Sequence, residues 1–378
     1  MTLYFVAGEV SADNHGAALM RSLRELDQEV RFTGRGGPQM QQIADGQFKD
    51  WIGDAAVLGL WEVLRKYGYF QEQFHETLQE IRESKPDAVV LIDYPGFNLR
   101  LAHALRRQAP RQKIIYYISP QVWAWNRGRI KRMAQSINLV LCIFPFEVDF
   151  YGQAGLRALF VGHPMIERLR SQKFETRRDR NLIGLFPGSR SREVRKIFPV
   201  MLETARELRK LNQNLRFEVA AASEQLAQEM QPFVAGLDQP QDRAAIQIKL
   251  DETALTMQRA WVGIVASGSA TLEAAYFRLP FVLVYKVAWP TYLAARLVVS
   301  VKYLGMPNLL AGKEVVPEFI QHRAKPDAVI KAVRPLIENA NAREQMISQF
   351  DVIIPKLGDS GASERAARAI IEELGSAT

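Results

Sequence analysis

Val265-Ala-Ser-Gly-Ser-Ala-Thr-Leu-Glu-Ala-Ala275, followed by Arg278-Leu-Pro280 and the apolar run 281–285, reads as strand, small-residue turn, helix, sharp stop and strand. Residues 261–265 end the first strand. Ser267, Gly268, Ser269 and Ala270 add almost no bulk at the turn, and the helix opens with Thr271 and carries Glu273 in its first turn. A turn this bare lets a ligand reach the backbone, where the free amides point outward with the positive end of the helix dipole behind them. That arrangement suits a diphosphate, and Glu273 is placed to accept hydrogen bonds from the two hydroxyls of a ribose. A plain strand-to-helix turn with a serine cap would use the same residue types, so the surrounding sequence has to decide.

The same unit recurs from end to end. Short apolar runs at 3–7, 88–92, 114–118, 139–143 and 159–161 read as strands buried on both faces, with amphipathic stretches at 16–26, 71–83 and 99–108 between them. Gly162-His-Pro164 and the charged run 167–180 mark a boundary. The pattern then restarts, with strands at 182–186, 216–221, 244–249, 261–265 and 281–287 and a helix at 194–211. Two successive βαβ arrays predict an α/β protein of two doubly wound, Rossmann-like parallel-sheet domains, with a ligand cleft expected between them.

The totals agree with this reading. At 378 residues the chain is too long for one ordinary core. An apolar content of 48% with 24% charged residues excludes a disordered or fibrous chain. The net charge of +8 suggests an anionic partner: nucleic acid, a phosphorylated substrate or an acidic membrane surface. The single cysteine, Cys142, lies in the apolar run 139–144 and reads as a core thiol in a reducing compartment. The first six residues read as a strand rather than a signal peptide, and no run of about 18 uncharged apolar residues is present. The expectation is a cytoplasmic protein. Two segments, 55–70 and 289–304, are apolar on most faces with basic residues interspersed, and suit either burial or contact with a bilayer surface.

Four further constellations bear on chemistry. The turn after the first strand, Gly8 to Gly16, holds Glu9, Asp13 and His15; it is not a GxGxxG fingerprint, and a polar cap cluster would look the same. Asp93 ends the strand 88–92 ahead of Tyr94-Pro-Gly-Phe-Asn98, where partial burial would lift its pKa toward that of a general base. The stretch 118–132 sets two tryptophans beside four basic residues; with no nucleic-acid-binding signature elsewhere, a cleft role is favoured over nucleic acid. Leu185-Phe-Pro-Gly-Ser-Arg190 opens the second array with a turn at Ser189 and with Arg190 and Arg192 ahead of a helix, in reach of a phosphate. The five histidines show no metal-ligand spacing and no Asp-x-Asp pair is present, so the expected site is metal-free and without a cofactor.

These motifs together resemble the lipid-A-disaccharide synthases, inverting GT-B glycosyltransferases of bacterial outer-membrane lipid A assembly. The resemblance runs nearly end to end: Ala7 to Asp13, Gly36 to Pro38, Ile92 to Asn98, Tyr117 to Trp125, Pro145 to Glu147, Val161 to Pro164, Pro187 to Arg190, Ser267 to Glu273, Met306 to Leu310 and Glu314 to Gln321. Some members carry Asp where this chain has Gly96, which leaves Asp93 to act without a second carboxylate there. The resemblance implies transfer from UDP-2,3-diacylglucosamine to the 6-hydroxyl of 2,3-diacylglucosamine 1-phosphate, giving a β-1,6 disaccharide and UDP. Asp93 would be the base, with Glu9, Asp13 or His15 in reserve. Arg190 and the amides of Ser267–Thr271 would hold the diphosphate and Glu273 the ribose, and Asn308, Glu314, Glu318 and Gln321 match family positions near the donor. It further implies an acceptor and lipid domain over 1–165, a UDP-sugar domain over 166–358 and a final helix within 359–378 packing back on the first. Peripheral contact with the inner membrane face and a homodimer are consistent with it. A soluble UDP-N-acetylglucosamine 2-epimerase of the same fold, or a non-catalytic nucleotide-sugar or membrane-binding protein, would share part of this pattern.

Overall fold

The structure, a computed structural model, describes residues 1–55, 67–125, 128–298 and 301–375. The chain divides into two compact units, residues 1–167 with 357–378 and residues 168–356. In the first unit the strands are β1 (Thr2–Ala7), β2 (Arg31–Gly36), β3 (Phe48–Asp50), β4 (Ala88–Ile92), β5 (Lys113–Tyr117), β6 (Leu139–Cys142) and β7 (Ala158–Phe160). They lie in the order β3-β2-β1-β4-β5-β6-β7, every pair parallel. The second unit holds β8 (Asp179–Phe186), β9 (Arg216–Ala221), β10 (Ile246–Leu250), β11 (Ala260–Ala266), β12 (Phe281–Tyr285) and β13 (Glu318–Ile320), ordered β10-β9-β8-β11-β12-β13 and again parallel. Helices cover both faces of such sheets, so the central strands are buried throughout: Leu3 to Ala7 and Ala88 to Ile92 are at most 2% exposed. Cys142 is a buried free thiol, and burial raises its pKa.

Two strands of the first sheet, β2 and β3, were not among the expected ones, and the reason is chemical. β2 reads Arg31-Phe-Thr-Gly-Arg-Gly36, which is not an apolar run. Gly34 has φ +136°, and a Cβ there would stand 2.1 Å from the Phe5 carbonyl oxygen of β1, so the close approach of these strands needs glycine. Arg35 is fully buried in the sheet. Its guanidinium donates to both carboxylate oxygens of Glu80, to Glu76 Oε2 at 3.0 Å and to Gln73 Oε1 at 2.5 Å, all on the helix Tyr67–Ser84. A buried charge is tolerated because its partners are complete.

The last helix, Ala362–Gly375, lies in the first unit and packs on the helix Val10–Leu26. Its Glu373 accepts from Lys113 Nζ at 2.9 Å and Arg157 Nη1 at 2.5 Å, pinning the chain end beside the starts of β5 and β7. Most of the apolar segment 55–70, residues 56–66, lies outside the described residues. No helix among the described residues is long and apolar enough to cross a membrane.

Candidate active site

In both sheets the strand order reverses direction from the first strand of the unit, β1 and β8, and the carboxyl ends flanking that point carry the motif turns. In the first unit these are the turns after β1 and β4. Asp93 (φ 46°) and Tyr94 (φ 50°) are consecutive left-handed residues, a conformation that side chains with a Cβ avoid. The Asp93 carbonyl is fixed by the Tyr116 hydroxyl and by Asn98 Nδ2 at 2.8 Å, while its N–H donates to the Tyr117 carbonyl at 3.1 Å. The Tyr94 ring packs edge-on against Trp51 at 6.0 Å, and Trp51 is held in turn by its Nε1 donating to the Ala7 carbonyl at 2.7 Å. The carboxyl of Asp93 is thereby held partly buried, and burial, followed by the negative charge of Glu9, pushes its pKa up to about 6.

The other three acidic or basic candidates of this unit differ in kind. Glu9 is exposed at the start of the helix Val10–Leu26. Asp13 is buried and accepts backbone N–H groups from Gly37, Gln39 and Met40, each at 3.0 Å; it caps the short helix Pro38–Gln41. His15 is partly buried on the same helix as Asp13. In the stretch 118–132, Trp123 is a core residue, 5% exposed, rather than a cleft-lining one. Its Nε1 donates to Glu147 at 2.9 Å, and the same buried carboxylate accepts from Ser119 Oγ at 2.7 Å and from the N–H groups of Ile143 and Phe144. Burial pushes Glu147 up to about 7 despite these four donors. The carboxylate ties the loop after β5 to the loop after β6, a role its spacing in sequence did not disclose. The side chain of Trp125 lies outside the described residues.

In the second unit a cavity of about 720 Å³ opens at the carboxyl ends of β8, β9, β10 and β11. Ser189, Arg190, Ser267, Gly268, Ser269, Ala270 and Glu273 all line it. Gly268 has φ +139° and nothing within 4 Å of where a Cβ would stand, so the turn is bare as well as left-handed. Ser269 makes no side-chain cap bond. The N–H of Thr271 is already used, donating to the Gly268 carbonyl at 3.2 Å, as are those of Leu272 and Glu273 to Ser269. Thr271 is therefore not among the amides left for a ligand. Arg190 is exposed and lies 3.4 Å from Glu193; the helix Ser191–Leu211 begins at Ser191 rather than at 194, so Arg192 stands inside its first turn instead of ahead of it and does not line the cavity. Glu273 is nearly buried and pairs with Arg168 Nη2 at 2.9 Å. Arg168 and Tyr285 line the cavity too, and neither was singled out by the sequence; Arg168 stood inside a charged run that reads only as a boundary.

Asn308, Glu318 and Gln321 are buried and do not line this cavity. Asn308 donates to the Val316 carbonyl and to Glu318, and accepts from the N–H groups of Val315 and Val316. Glu318 accepts from the N–H groups of Leu304 and Gly305, and Gln321 brackets the backbone of Val287. Their polar atoms hold the segments around 287 and 304–316 in place. Glu314 is exposed in the same segment.

Two parallel-sheet α/β units with turn-bound sites at their switch points define a protein of the GT-B class, and solved structures of that fold align along the whole chain. The UDP-GlcNAc 2-epimerase of Neisseria meningitidis bound to UDP-GlcNAc superposes with a TM-score of 0.64 at 12% identity, covering 98% of this chain and 100% of its own. MurG of Acinetobacter baumannii superposes with a TM-score of 0.56 at 14% identity, covering 98% and 99%. Residues 3–370 match the family described as lipid-A-disaccharide synthetase. The lipid-A-disaccharide synthase of Geobacter sulfurreducens is 37% identical across 99% of this chain and 97% of its own, and that of Acinetobacter baylyi 35% across 97% and 95%. The chain belongs to the lipid-A-disaccharide synthase family and is a glycosyltransferase.

Proposed function

We propose that the chain transfers 2,3-diacylglucosamine from its UDP derivative to the 6-hydroxyl of 2,3-diacylglucosamine 1-phosphate with inversion, releasing UDP. Inversion takes one displacement. The acceptor oxygen attacks the anomeric carbon as the bond to the diphosphate breaks, a base removes the hydroxyl proton, and the departing electrons settle on the phosphate oxygens. The first unit carries the base and the second the leaving-group cradle. The observation that carries the reading is Asp93: lifted to about 6, it is mostly ionised near neutrality yet still basic enough to take a proton in the transition state. Arg190 and the amides of Ser267 to Ala270 receive the charge that builds on the diphosphate, and Glu273, oriented by Arg168, takes the ribose hydroxyls. Glu9 contributes by raising Asp93, and Asp13 by capping the helix Pro38–Gln41.

The test is UDP release from UDP-2,3-diacylglucosamine with acylated and with deacylated acceptor. Turnover with the acylated acceptor alone supports the reading; UDP release that ignores the acceptor sinks it. Acylated substrates also favour a protein that works at the inner membrane face. Trp289 and Leu293 stand more than half exposed on the helix Trp289–Val298, with Arg296 exposed beside them. Trp289→Glu with Leu293→Glu is expected to reduce co-sedimentation with anionic liposomes and leave UDP affinity alone. The family also implies a homodimer, which sedimentation velocity would show as twice the 42.9 kDa chain mass.

A further inference from the structure

The stretch 168–178, which opens the second unit ahead of β8, has almost no secondary structure beyond Ser171 yet is fastened along its length. Arg168 pairs with Glu273 at 2.9 Å, and Lys173 Nζ stands 5.4 Å from the centre of the Tyr276 ring, both partners on the helix Ala270–Tyr276. A second helix, Thr253–Arg259, holds it through Gln258. The Gln258 Oε1 accepts from the Phe174 N–H at 2.9 Å, and its Nε2 donates to the Gln172 carbonyl at 2.9 Å. Arg178 closes the run by donating to the carbonyls of Met257 at 3.0 Å and Ala260 at 2.6 Å. In the middle of these ties stands Phe174, 50% exposed and the one exposed phenylalanine among the described residues. It lines the same cavity as the Ser267–Ala270 turn. An apolar ring gains by leaving water. A backbone clipped on both sides of Phe174 instead holds that ring in the wall of a cavity, where a flat apolar face on a ligand would cover it.

The rest of the lining narrows the choice of ligand group. In the proposed function the diphosphate takes the turns after β8 and β11, and the ribose takes Glu273. The base is bonded directly to the ribose, so it lies beside the Arg168–Glu273 pair, in the same fastened stretch as Phe174. The walls assigned to neither diphosphate nor ribose include Ala254 and Leu255, on the helix that holds Phe174 through Gln258. Two other aromatic residues line the cavity among the described residues, and neither suits the base as well. Phe186 is 3% exposed and offers no free face. Tyr285 ends β12, which the sheet order places on the far side of β11 from β9 and β10. We propose that Phe174 is a stacking platform for the pyrimidine base of the donor nucleotide, held ready by the Gln258 clip. This rests on the second unit's cavity being the nucleotide site and adds the residue that recognises the base. Stacking suits the task because a pyrimidine has a flat π face, and a ring fixed in advance loses little freedom when the base arrives.

The test is titration calorimetry of the full chain with UDP and with 5,6-dihydro-UDP. The second ligand keeps the oxygen and N–H groups of the uracil edge, but saturation of its C5–C6 bond makes the ring non-planar and removes its π face. Wild type, Phe174→Ala, Phe174→Leu and Phe174→Trp are compared; the leucine variant keeps apolar bulk without a ring, so it guards against a folding defect in the alanine variant. Wild type is expected to prefer UDP to the dihydro analogue by about 5–30-fold. Phe174→Ala and Phe174→Leu should weaken UDP by a similar factor, bind the analogue as wild type does, and so lose the preference, whereas Phe174→Trp should keep it. Unchanged UDP affinity in the alanine and leucine variants overturns the assignment. An equal loss for both ligands also overturns it, since that is the mark of a merely structural residue. So does a loss seen only with UDP-2,3-diacylglucosamine and not with UDP, which would make Phe174 a contact for an acyl chain. Wild type that binds no UDP would instead remove the nucleotide site of the proposed function, and this platform with it.

Discussion

The turn after β4 and the turn after β11 occupy the same place in their sheets, beside the strand from which the order runs both ways, yet they are built in opposite manners. After β4 the chain places two residues with full side chains, Asp93 and Tyr94, in the left-handed region. It holds them there with a tyrosine hydroxyl, a buried asparagine and a wall of aromatic rings. Each such residue costs on the order of 1–3 kcal/mol, which only surrounding contacts can sustain. After β11 the left-handed position is given to Gly268, and nothing is packed against it. One turn is strained in order to aim a charged side chain; the other is emptied so that a ligand can meet the backbone. In the proposed function, a site for proton transfer and a site for a diphosphate would need these two solutions respectively.

The contrast is tested most severely at Asp93. Asp93→Asn keeps the shape and removes the proposed base, so UDP release should fall by about 10²–10⁴ while UDP affinity, which the proposal assigns to the second unit, stays near normal. The pH profile gives the same answer independently. A base works only when deprotonated, and this one is raised to about 6, so kcat/KM should drop roughly tenfold per pH unit below that value. The variant should lack that limb. Full turnover in Asp93→Asn would end its role.

How much of this was legible follows from what each residue does. Apolar runs marked the buried strands because parallel strands are covered on both faces, and β9 matched its expected bounds, 216–221, to the residue. β2 escaped because its buried positions are Phe32, two glycines and Arg35, whose partners lie about 40 residues away on the helix Tyr67–Ser84. Turn chemistry announced Gly268 and its neighbours, since small residues between strand and helix leave few alternatives. Arg168 and Glu147 were opaque for the reverse reason: their meaning comes from partners 105 and 28 residues distant along the chain, which no local pattern reveals. Asn308 and Glu318 show the converse difficulty. A motif can fix a residue's importance without disclosing that its polar atoms are spent on its own loop.

On the second turn, Gly268→Ala separates conformation from space. The added methyl meets nothing within 4 Å, so any loss comes from the backbone angle alone. Moving the turn out of φ +139° costs on the order of 1–2 kcal/mol, and UDP affinity should weaken roughly 5–30-fold by titration calorimetry. Ser269→Ala is the control, since Ser269 sits at φ −57° and its hydroxyl caps nothing; its stability should be unchanged. Equal UDP affinity in Gly268→Ala would mean the nucleotide does not approach this backbone.

The smallest effect is expected at Arg168, and its size discriminates between two jobs. The pair with Glu273 is half exposed on the arginine side, 50% against 11%, so solvent screens it and its worth is at most about 1 kcal/mol. If Arg168 only orients Glu273, Arg168→Ala should weaken UDP binding by less than about fivefold. The difference should shrink at high salt, where an exposed pair is screened to a few ångströms. If instead the guanidinium leaves Glu273 to grip the diphosphate when nucleotide enters, two charge-assisted bonds are lost together and the defect should exceed tenfold. Glu273→Gln then distinguishes the cases further. An orienting arginine has no remaining purpose in that background, so adding Arg168→Ala would change nothing, whereas a phosphate-binding arginine would still be missed.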